Sequence, residues 1–226
     1  MALIPLDLPA GVYRNGTDLQ SQGRWRDSNL VRWFDDTLRP IGGWRTRSDT
    51  ASAGQIRGMH SWIANNSDRW IAAGSYNKLY AYSGAGIQSD ITPTGLTAGN
   101  EDALNPIGFG TSFYGREYYG IARQEAVTIT PATTWSMDSW GQYLVACSSS
   151  DGKVYEWQLN VGIIAAPVAN APVNNRAILV TEERFLMCLG AGGNPRLVQW
   201  SDREDNTLWT PAATNEAGSL ELQTTG

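Results

Sequence analysis

Charged side chains are scarce in this sequence, at 17% of 226 residues against about a quarter in typical soluble domains. Lysine is nearly missing, since Lys78 and Lys153 leave arginine as 15 of the 17 basic residues. The chain instead holds 24 Gly, 10 Pro, 10 Trp and 9 Tyr. This composition excludes disorder as the main state and favours short strands joined by tight turns over long solvent-facing helices.

Cysteine and long apolar runs are also few. Cys147 and Cys188 are too few for a disulfide framework and lack metal-ligand spacing, and each stands in an apolar strand-like run. We predict that both are buried free thiols. The opening residues have no basic region before a short apolar run, and no stretch approaches the 18 or so apolar residues of a membrane span. We therefore expect neither export nor contact with a membrane.

Histidine occurs once, as His60 in the strand-like stretch 58–63. A Ser-His-Asp triad would need this residue as its base, and no G-x-S-x-G nucleophile elbow accompanies it. One His and two separated Cys cannot build a zinc site. The acid pair Glu182-Glu183 would point to opposite faces of one strand, which does not give the geometry of a glycosidase. We expect no cofactor, no metal and no enzymatic activity.

Charge is distributed unevenly along the chain. Residues 1–57 contain eight Arg and six Asp, a balance of +2, so residues 58–226 hold nine basic and sixteen acidic side chains, a balance of −7. The net charge of −5 and the pI near 4.9 argue against a sequence-reading nucleic-acid binder, which would present a basic face. An acidic surface suits a conduit along which DNA slides without sticking, but charge alone favours the simpler interpretation of an ordinary soluble protein.

Residues 13–47 alternate aromatic and arginine side chains. Turn chemistry at Asn15-Gly16, Asp35-Asp36 and Gly42-Gly43, without a helical period, predicts extended and looped structure. We interpret residues 1–55 as an extended arm that docks on a partner chain, although anchoring of the arm to its own domain fits the pattern equally well. The candidate interface residues are Arg14, Arg24, Trp25, Arg26, Arg32, Trp33, Arg39, Trp44 and Arg45.

A hairpin pattern recurs from residue 56 onward, with copies at 69–82, 142–157 and 184–200. In each copy an aromatic residue begins the first strand, and an aromatic residue ends the second. The third copy follows the second after 42 residues, which is the spacing of a four-stranded propeller blade. Another strand candidate precedes each copy, as a blade requires.

These patterns predict a mainly β chain with β-propeller-like blades over residues 56–226, preceded by the arm. A generic β-sandwich with similar hairpins is the alternative. A further hairpin is predicted at 112–123, where aromatic residues alternate. The last predicted strand, 219–224, lacks a downstream partner, so the blade domain is expected to be incomplete at the C-terminus.

Two stretches carry a family resemblance. LPAGVYRNGTDLQSQGRWRDSNLVRWFDDTLRPIGGW near the start and WSDREDNTLWTPAATNEAGSLEL near the end resemble the tail nozzle proteins of tailed bacteriophages, also called packaged-DNA stabilisation proteins. Nozzle proteins are generally much longer than this chain. The resemblance therefore implies that a full propeller is absent here.

The resemblance implies a structural protein of the virion tail, made in the host cytoplasm. It would form a ring of identical copies, expected to be a hexamer, below the phage portal and adaptor proteins. This ring would retain packaged double-stranded DNA and conduct it during ejection without reading its sequence. The arm would order the chain against the adaptor or neighbouring copies.

Two other functions remain open from the sequence. A carbohydrate-binding β-propeller would stack exposed aromatic residues of blade edges, such as Trp157 and Trp200, on sugar faces. A tail-associated glycan hydrolase would use Asp and Glu residues from different blades. Neither alternative gives a role to the arm.

Overall fold

The structure is a computed structural model that describes residues 11–43, 45–103 and 130–223. The chain divides into two compact units, Met1–Thr46 and Arg47–Gly226. Both units are built from short antiparallel strands, so the prediction of a mainly β chain is confirmed. The hairpin predicted at 112–123 and the candidate residue Trp44 lie outside the described residues.

The first unit contains one hairpin, in which β1 (Val31–Phe34) pairs antiparallel with β2 (Thr37–Pro40). Asp35 and Asp36 join the strands with φ angles of 47° and 55°. Two successive left-handed residues are the signature of a type I′ hairpin turn, and Asp tolerates that conformation better than most side chains. The turn predicted at this dipeptide is confirmed.

The second unit contains three four-stranded antiparallel sheets. Sheet I consists of β3 (Gly58–Ile63), β4 (Arg69–Gly74), β5 (Leu79–Ser83) and β6 (Gln88–Asp90). Sheet II consists of β7 (Trp135–Trp140), β8 (Tyr143–Ser148), β9 (Val154–Trp157) and β10 (Ala166–Pro167). Sheet III consists of β11 (Ala177–Val180), β12 (Leu186–Leu189), β13 (Leu197–Trp200) and β14 (Gly218–Glu221). Each strand pairs with the next one in the chain, so every sheet is a meander.

The three hairpin copies read from the sequence form the second and third strands of the three sheets, and the predicted preceding strands are β3, β7 and β11. The strand predicted at 58–63 has the bounds of β3. The last strand, predicted at 219–224 without a downstream partner, is observed as β14, which pairs along its length with the preceding strand β13.

The sheets stack face to face in chain order. We call the face that carries Met59, Met137 and Ile178 the front face of sheets I, II and III, and the opposite face the back face. The back face of sheet I packs on the front face of sheet II, and the back face of sheet II packs on the front face of sheet III. Sheet II is therefore covered on both sides.

Coverage on both sides explains the sequence of the central strand β8. Leu144, Val145, Ala146 and Cys147 are all buried, because successive side chains enter the two different cores. A strand that is buried on both faces needs a continuous apolar run, whereas a half-exposed strand alternates. This run of four buried residues therefore indicates that sheet II lies between two other sheets.

The first strands of successive sheets lie beside each other, β3 against β7 and β7 against β11. Two glycines allow the first approach. A methyl group on Gly58 would lie 2.8 Å from the carbonyl oxygen of Trp135, and one on Gly74 would overlap the Trp135 indole ring. Backbone and indole can meet this closely only because neither glycine has a side chain. The described residues form no closed barrel or propeller.

Candidate functional site

The candidate interface residues of the arm are mostly accessible. Seven of the nine are exposed, Trp33 is half-buried, and Trp44 lies outside the described residues. The exposed residues are Arg14, Arg24, Trp25, Arg26, Arg32, Arg39 and Arg45. Accessibility of this kind leaves these side chains available for contact with another molecule.

Several arginines of the arm have partners within it. Arg14 faces the carboxylate of Asp27 at 3.8 Å, and Arg26 pairs with Asp18. Both pairs are solvent-exposed, and exposed ion pairs contribute little to stability. These two arginines are thus paired within the first unit, and their pairs contribute little to its stability.

Arginines also stack on aromatic rings, as the alternation suggested, but the rings are not those of the tryptophans. Arg24 lies over Tyr13 at 5.4 Å, while Arg32 and Arg39 lie over Phe34 at 6.0 and 4.8 Å. Sequence reasoning therefore missed Tyr13 and Phe34. Phe34 lies two residues after Arg32 in β1, and Tyr13 lies next to the isolated bridge between Val12 and Trp25. Which arginine covers which ring follows only from the pairing of these segments.

The hairpin β1–β2 has two chemically different faces. Cross-strand pairs place Val31, Trp33, Leu38 and Pro40 on one side, which is apolar. The other side carries Arg32 directly opposite Arg39, with the half-exposed ring of Phe34 between them. We call Arg32, Phe34 and Arg39 the cationic patch.

The positive charges of the cationic patch are not neutralised by an acidic side chain among the described residues. Like charges directly opposite each other destabilise an antiparallel pair, and neither Arg32 nor Arg39 forms an ion pair among the described residues. A carboxylate-bearing surface would remove this repulsion, because the planar arginine fork binds carboxylates in bidentate fashion. The patch is therefore the part of the arm best suited to an acidic partner.

Polar side chains join the sheets of the second unit along their first strands. His60 Nε2 and Ser139 Oγ share a hydrogen bond of 2.8 Å between sheets I and II, and the His60 ring stacks on Trp62. Between sheets II and III, Asp138 Oδ2 accepts the backbone N–H of Val180 at 2.7 Å. His60 is thus part of a contact between sheets, and no acidic residue in the described part of the chain is bonded to its ring.

Ser136 makes a second bond across the same boundary. Its Oγ accepts the N–H of Ile178 at 3.1 Å and donates to the carbonyl of Ile178 at 2.9 Å. Together with Asp138 it satisfies the strand edge of β11 that no other strand pairs with. Covering a free edge in this way prevents it from pairing with a foreign strand.

Tryptophans extend each boundary outward. Trp62 donates its indole N–H to the carbonyl of Gln142 at 2.9 Å, and the ring of Trp140 lies 5.1 Å from the guanidinium of Arg184. Gln142 immediately precedes β8, the second strand of sheet II, and Arg184 lies two residues before β12, the second strand of sheet III. At both boundaries a tryptophan of the earlier sheet thus contacts the segment before the second strand of the next sheet, through a hydrogen bond in one case and a cation–π contact in the other. We call these two boundaries the sheet seams.

The sequence contains a signal for the seams that the hairpin pattern did not capture. Met59-His60-Ser61-Trp62 and Met137-Asp138-Ser139-Trp140 share Met, Ser and Trp at equivalent places of β3 and β7. The variable position is the one that reaches the next sheet, as His60 or as Asp138. Comparing the first strands directly would have identified these residues.

The two cysteines are buried and unpaired, as predicted. Burial raises the pKa of Cys147 from 9.0 to about 12, with a smaller contribution from the charge of Asp151. Burial, and then the neighbouring Cys147, also raises the pKa of Cys188. Both thiols therefore stay protonated near neutral pH, which makes them unreactive core residues.

The sugar-stacking hypothesis loses one of its two tryptophans. Trp157 is 1% exposed and donates its indole N–H to the carbonyl of Ile163 at 3.0 Å, so its ring cannot stack on a ligand. Trp200 is half-buried on the back face of sheet III. A single partly accessible tryptophan is a weak basis for a glycan site.

A cleft of about 670 Å³ that is rich in polar groups lies where the strands of sheets II and III begin and turn. Asp151 in its wall is already engaged by the backbone of Lys153 and by the hydroxyl of Tyr155. Burial and this carboxylate raise the pKa of Tyr155. Within the described residues we find no group of three or more His, Cys, Asp and Glu suited to a metal, and no helix able to cross a bilayer.

Comparison of the chain with protein-family models, with curated proteins and with solved structures finds no match.

Proposed function

We propose that the chain is a structural protein of a bacteriophage tail, of the nozzle type, that holds and conducts packaged DNA as part of a ring below the portal and adaptor. The observation that carries the proposal is the stack of three meander sheets joined by a recurring seam. Four-stranded meanders that follow each other in the chain, with their first strands adjacent, have the organisation of propeller blades. We interpret sheets I, II and III as three such blades.

A nozzle must stay rigid while DNA under pressure passes through it, and the sheet stack supports this requirement. Each core buries large side chains, among them Trp157 and Leu79 on one side of sheet II and Leu186 on the other. Full burial of such a side chain contributes about 1.5–3 kcal/mol. Hydrogen bonds of the seams add directionality, which resists sliding of one sheet over the next.

Docking of the arm supports the proposed assembly into a ring. The cationic patch lacks an acidic partner among the described residues of the arm, while residues 58–226 carry a balance of −7. A neighbouring copy or an acidic adaptor would supply the carboxylates that Arg32 and Arg39 need. Exposed Trp25 and half-buried Trp33 would add the aromatic contacts that are enriched in interfaces.

The low pI supports the role of a conduit. A channel wall that bound phosphates through Lys and Arg would hold DNA with a strongly salt-dependent affinity and slow its passage. Only nine basic side chains stand against sixteen acidic ones in residues 58–226. Under this proposal the chain acts by shape and repulsion, and it carries out no chemical step.

The proposal is tested by assembly in vitro. The purified chain is mixed with portal–adaptor complexes of a phage that encodes it, and the mixture is separated by gradient sedimentation. We expect the chain to co-sediment in a fixed ratio, and the double variant Arg32→Glu/Arg39→Glu to stay at the top of the gradient. Lys153→Glu is the control for altered charge and should still co-sediment.

Two results would contradict the proposal. One is a chain that never joins portal–adaptor complexes at any salt concentration. The other is a phage lacking the chain whose particles retain their DNA and infect normally.

A further inference from the structure

The back face of sheet III is apolar, and none of the described sheets covers it. The pattern of cross-strand pairs assigns seven side chains to it, and none of the seven is polar: Ala177, Leu179, Met187, Leu189, Val198, Trp200 and Leu220. Leu220 is 57% exposed and the other six are partly exposed. The back faces of sheets I and II, by contrast, are buried under the sheet that follows.

The opposite end of the stack shows the complementary gap. Met59 and Ile63 on the front face of sheet I are 67% and 62% exposed. The equivalents of Met59 in the other sheets, Met137 and Ile178, pack against the preceding sheet. Met59 is exposed because no described sheet packs against the front face of sheet I.

The front face of sheet I is open only along the half that carries its first strand β3, which we call the inner half. Farther out, residues 47–57 already cover it, where the backbone N–H of Ala53 donates to the Tyr80 hydroxyl at 3.0 Å and Ala73 is 1% exposed. The accessible part therefore comprises Met59, Ile63 and the half-buried Ile71, with the exposed Ser61 between Met59 and Ile63. The corresponding inner half of the back face of sheet III contains Leu179, Met187 and Leu189.

Charge at the two ends is also complementary. At each seam a tryptophan at or near the end of a first strand contacts a residue shortly before the second strand of the next sheet. The two pairs are Trp62 with Gln142 and Trp140 with Arg184. The position equivalent to Gln142 and Arg184 in sheet I is Arg69, which is exposed. In sheet III, the residue equivalent to Trp140 of sheet II is followed by Glu182 and Glu183, which are both exposed. None of these three charges has an ion-pair partner among the described residues.

We infer that a second copy of this chain docks the front face of its sheet I on the back face of sheet III, and so repeats the sheet seam between chains. The contact joins a back face to a front face, as both sheet seams within the chain already do. Arg69 of the incoming copy meets Glu182 and Glu183, while its Met59 and Ile63 cover Leu179 and Met187. This inference deepens the proposed ring of identical copies and rests on it for its biological meaning.

The contact is head-to-tail, because each copy contributes a different face. A heterologous contact of this kind continues from copy to copy until the assembly closes. Blocking either face must therefore stop growth, and two copies blocked on opposite faces must still form one contact. An isologous dimer would not behave in this way.

Sedimentation velocity of the isolated full chain tests the inference. Leu179→Asp blocks the back face of sheet III, and Ile63→Asp blocks the front face of sheet I. We expect the unmodified chain to associate, each variant alone to be monomeric with a dissociation constant raised about 30-fold or more, and an equimolar mixture of the two to form a 1:1 dimer. Val161→Asp changes a comparably exposed residue outside both faces and should associate normally.

Charge reversal gives a second, independent reading. Arg69→Glu should weaken association, and Arg69→Glu combined with Glu182→Arg and Glu183→Arg should restore it, because each contact then again joins opposite charges. Circular dichroism identifies any variant that fails to fold, and Leu179→Ala then replaces Leu179→Asp.

A monomeric unmodified chain at all concentrations would overturn the inference, as would association unaffected by Leu179→Asp and Ile63→Asp, or a mixture that does not form the dimer. The proposed function is judged separately. If the chain stays monomeric alone but joins portal–adaptor complexes, the proposed function stands and the head-to-tail contact is wrong. If the chain associates head-to-tail but never joins those complexes, the contact stands and the proposed function is wrong.

Discussion

Trp62 donates its indole N–H to the backbone carbonyl of Gln142 at 2.9 Å, and this bond ties the first strand of sheet I to the turn before the second strand of sheet II. Trp62 is 7% exposed and belongs to the core between the two sheets. One side chain thus supplies apolar area and a directed bond at the same seam.

Replacing Trp62 with Phe should lower the free energy of unfolding by about 1–3 kcal/mol, because the Gln142 carbonyl loses its partner in a partly buried place and a cavity remains. Urea unfolding followed by circular dichroism measures the change. Trp200→Phe is the matched control, since its bond to the Glu216 carbonyl is exposed and water replaces it. Equal losses in the two variants would contradict the role given to the seam.

Gly58→Ala should destabilise the second unit by about 1–3 kcal/mol, because the added methyl group lies 2.8 Å from the carbonyl oxygen and Cβ of Trp135. Gly162→Ala is the control, since its methyl group would make an ordinary contact of 3.4 Å with Asn160. Thermal unfolding of both variants checks the difference. An unchanged midpoint for Gly58→Ala would mean that sheets I and II lie farther apart than described.

Asp138→Ala should cost about 1–3 kcal/mol, because the N–H of Val180 on the edge of β11 loses its acceptor. Hydrogen exchange at Val180 provides a local reading, and we expect its protection to fall before that of strands in sheet I. Met137→Ala, on the opposite face of β7, should leave this amide protected. Unchanged protection in Asp138→Ala would show that the bond between Asp138 and Val180 is not formed in solution.

The buried thiols predict a pH dependence. Because burial raises the pKa of Cys147 from 9.0 to about 12, the unfolded chain loses this proton at lower pH than the folded chain does. The resulting stability is complete below pH 9 and is lost as the pH rises toward 12. Titration with a thiol reagent at pH 8 should find no reactive thiol in the folded chain and two after unfolding, and Cys147→Ala should reduce the alkaline loss of stability. Rapid labelling of folded protein would contradict this burial.

Arg39→Glu separates docking from stability. Opposite Arg32 it replaces a like-charged pair by an oppositely charged one, so the hairpin should be unchanged or more stable by about 0.2–1 kcal/mol. The same change should abolish co-sedimentation with portal–adaptor complexes. Loss of docking together with unfolding of the first unit would instead favour self-anchoring as the role of these arginines.

Much of the second unit could be predicted from the sequence, because its information is local. Alternation, turn residues and an aromatic residue at each strand start located β4–β5, β8–β9 and β12–β13, and His60 was placed in a strand with the observed bounds. The pairing of β14 with β13 was missed, since 17 residues separate the two strands and no short turn marks the connection. A strand after a long loop leaves no local signal of its partner.

The contacts of the candidate site were harder to predict. Exposure of the arginines in the arm follows from their chemistry, but which ring each one covers depends on the hairpin register, so Phe34 and Tyr13 were missed. The roles of Ser136 and Asp138 depend on which sheet lies beside β7, and that is a long-range property. The docking function of the arm stays a prediction.

Labelling of intact virions tests the central proposal most directly. Gold-conjugated antibodies against the chain are applied to purified particles of a phage that encodes it, and the particles are imaged by electron microscopy. The account predicts gold at the tail, directly below the portal vertex, on particles filled with DNA. Filled and infectious particles that carry no gold, with the chain detected only in the infected-cell lysate, would contradict it.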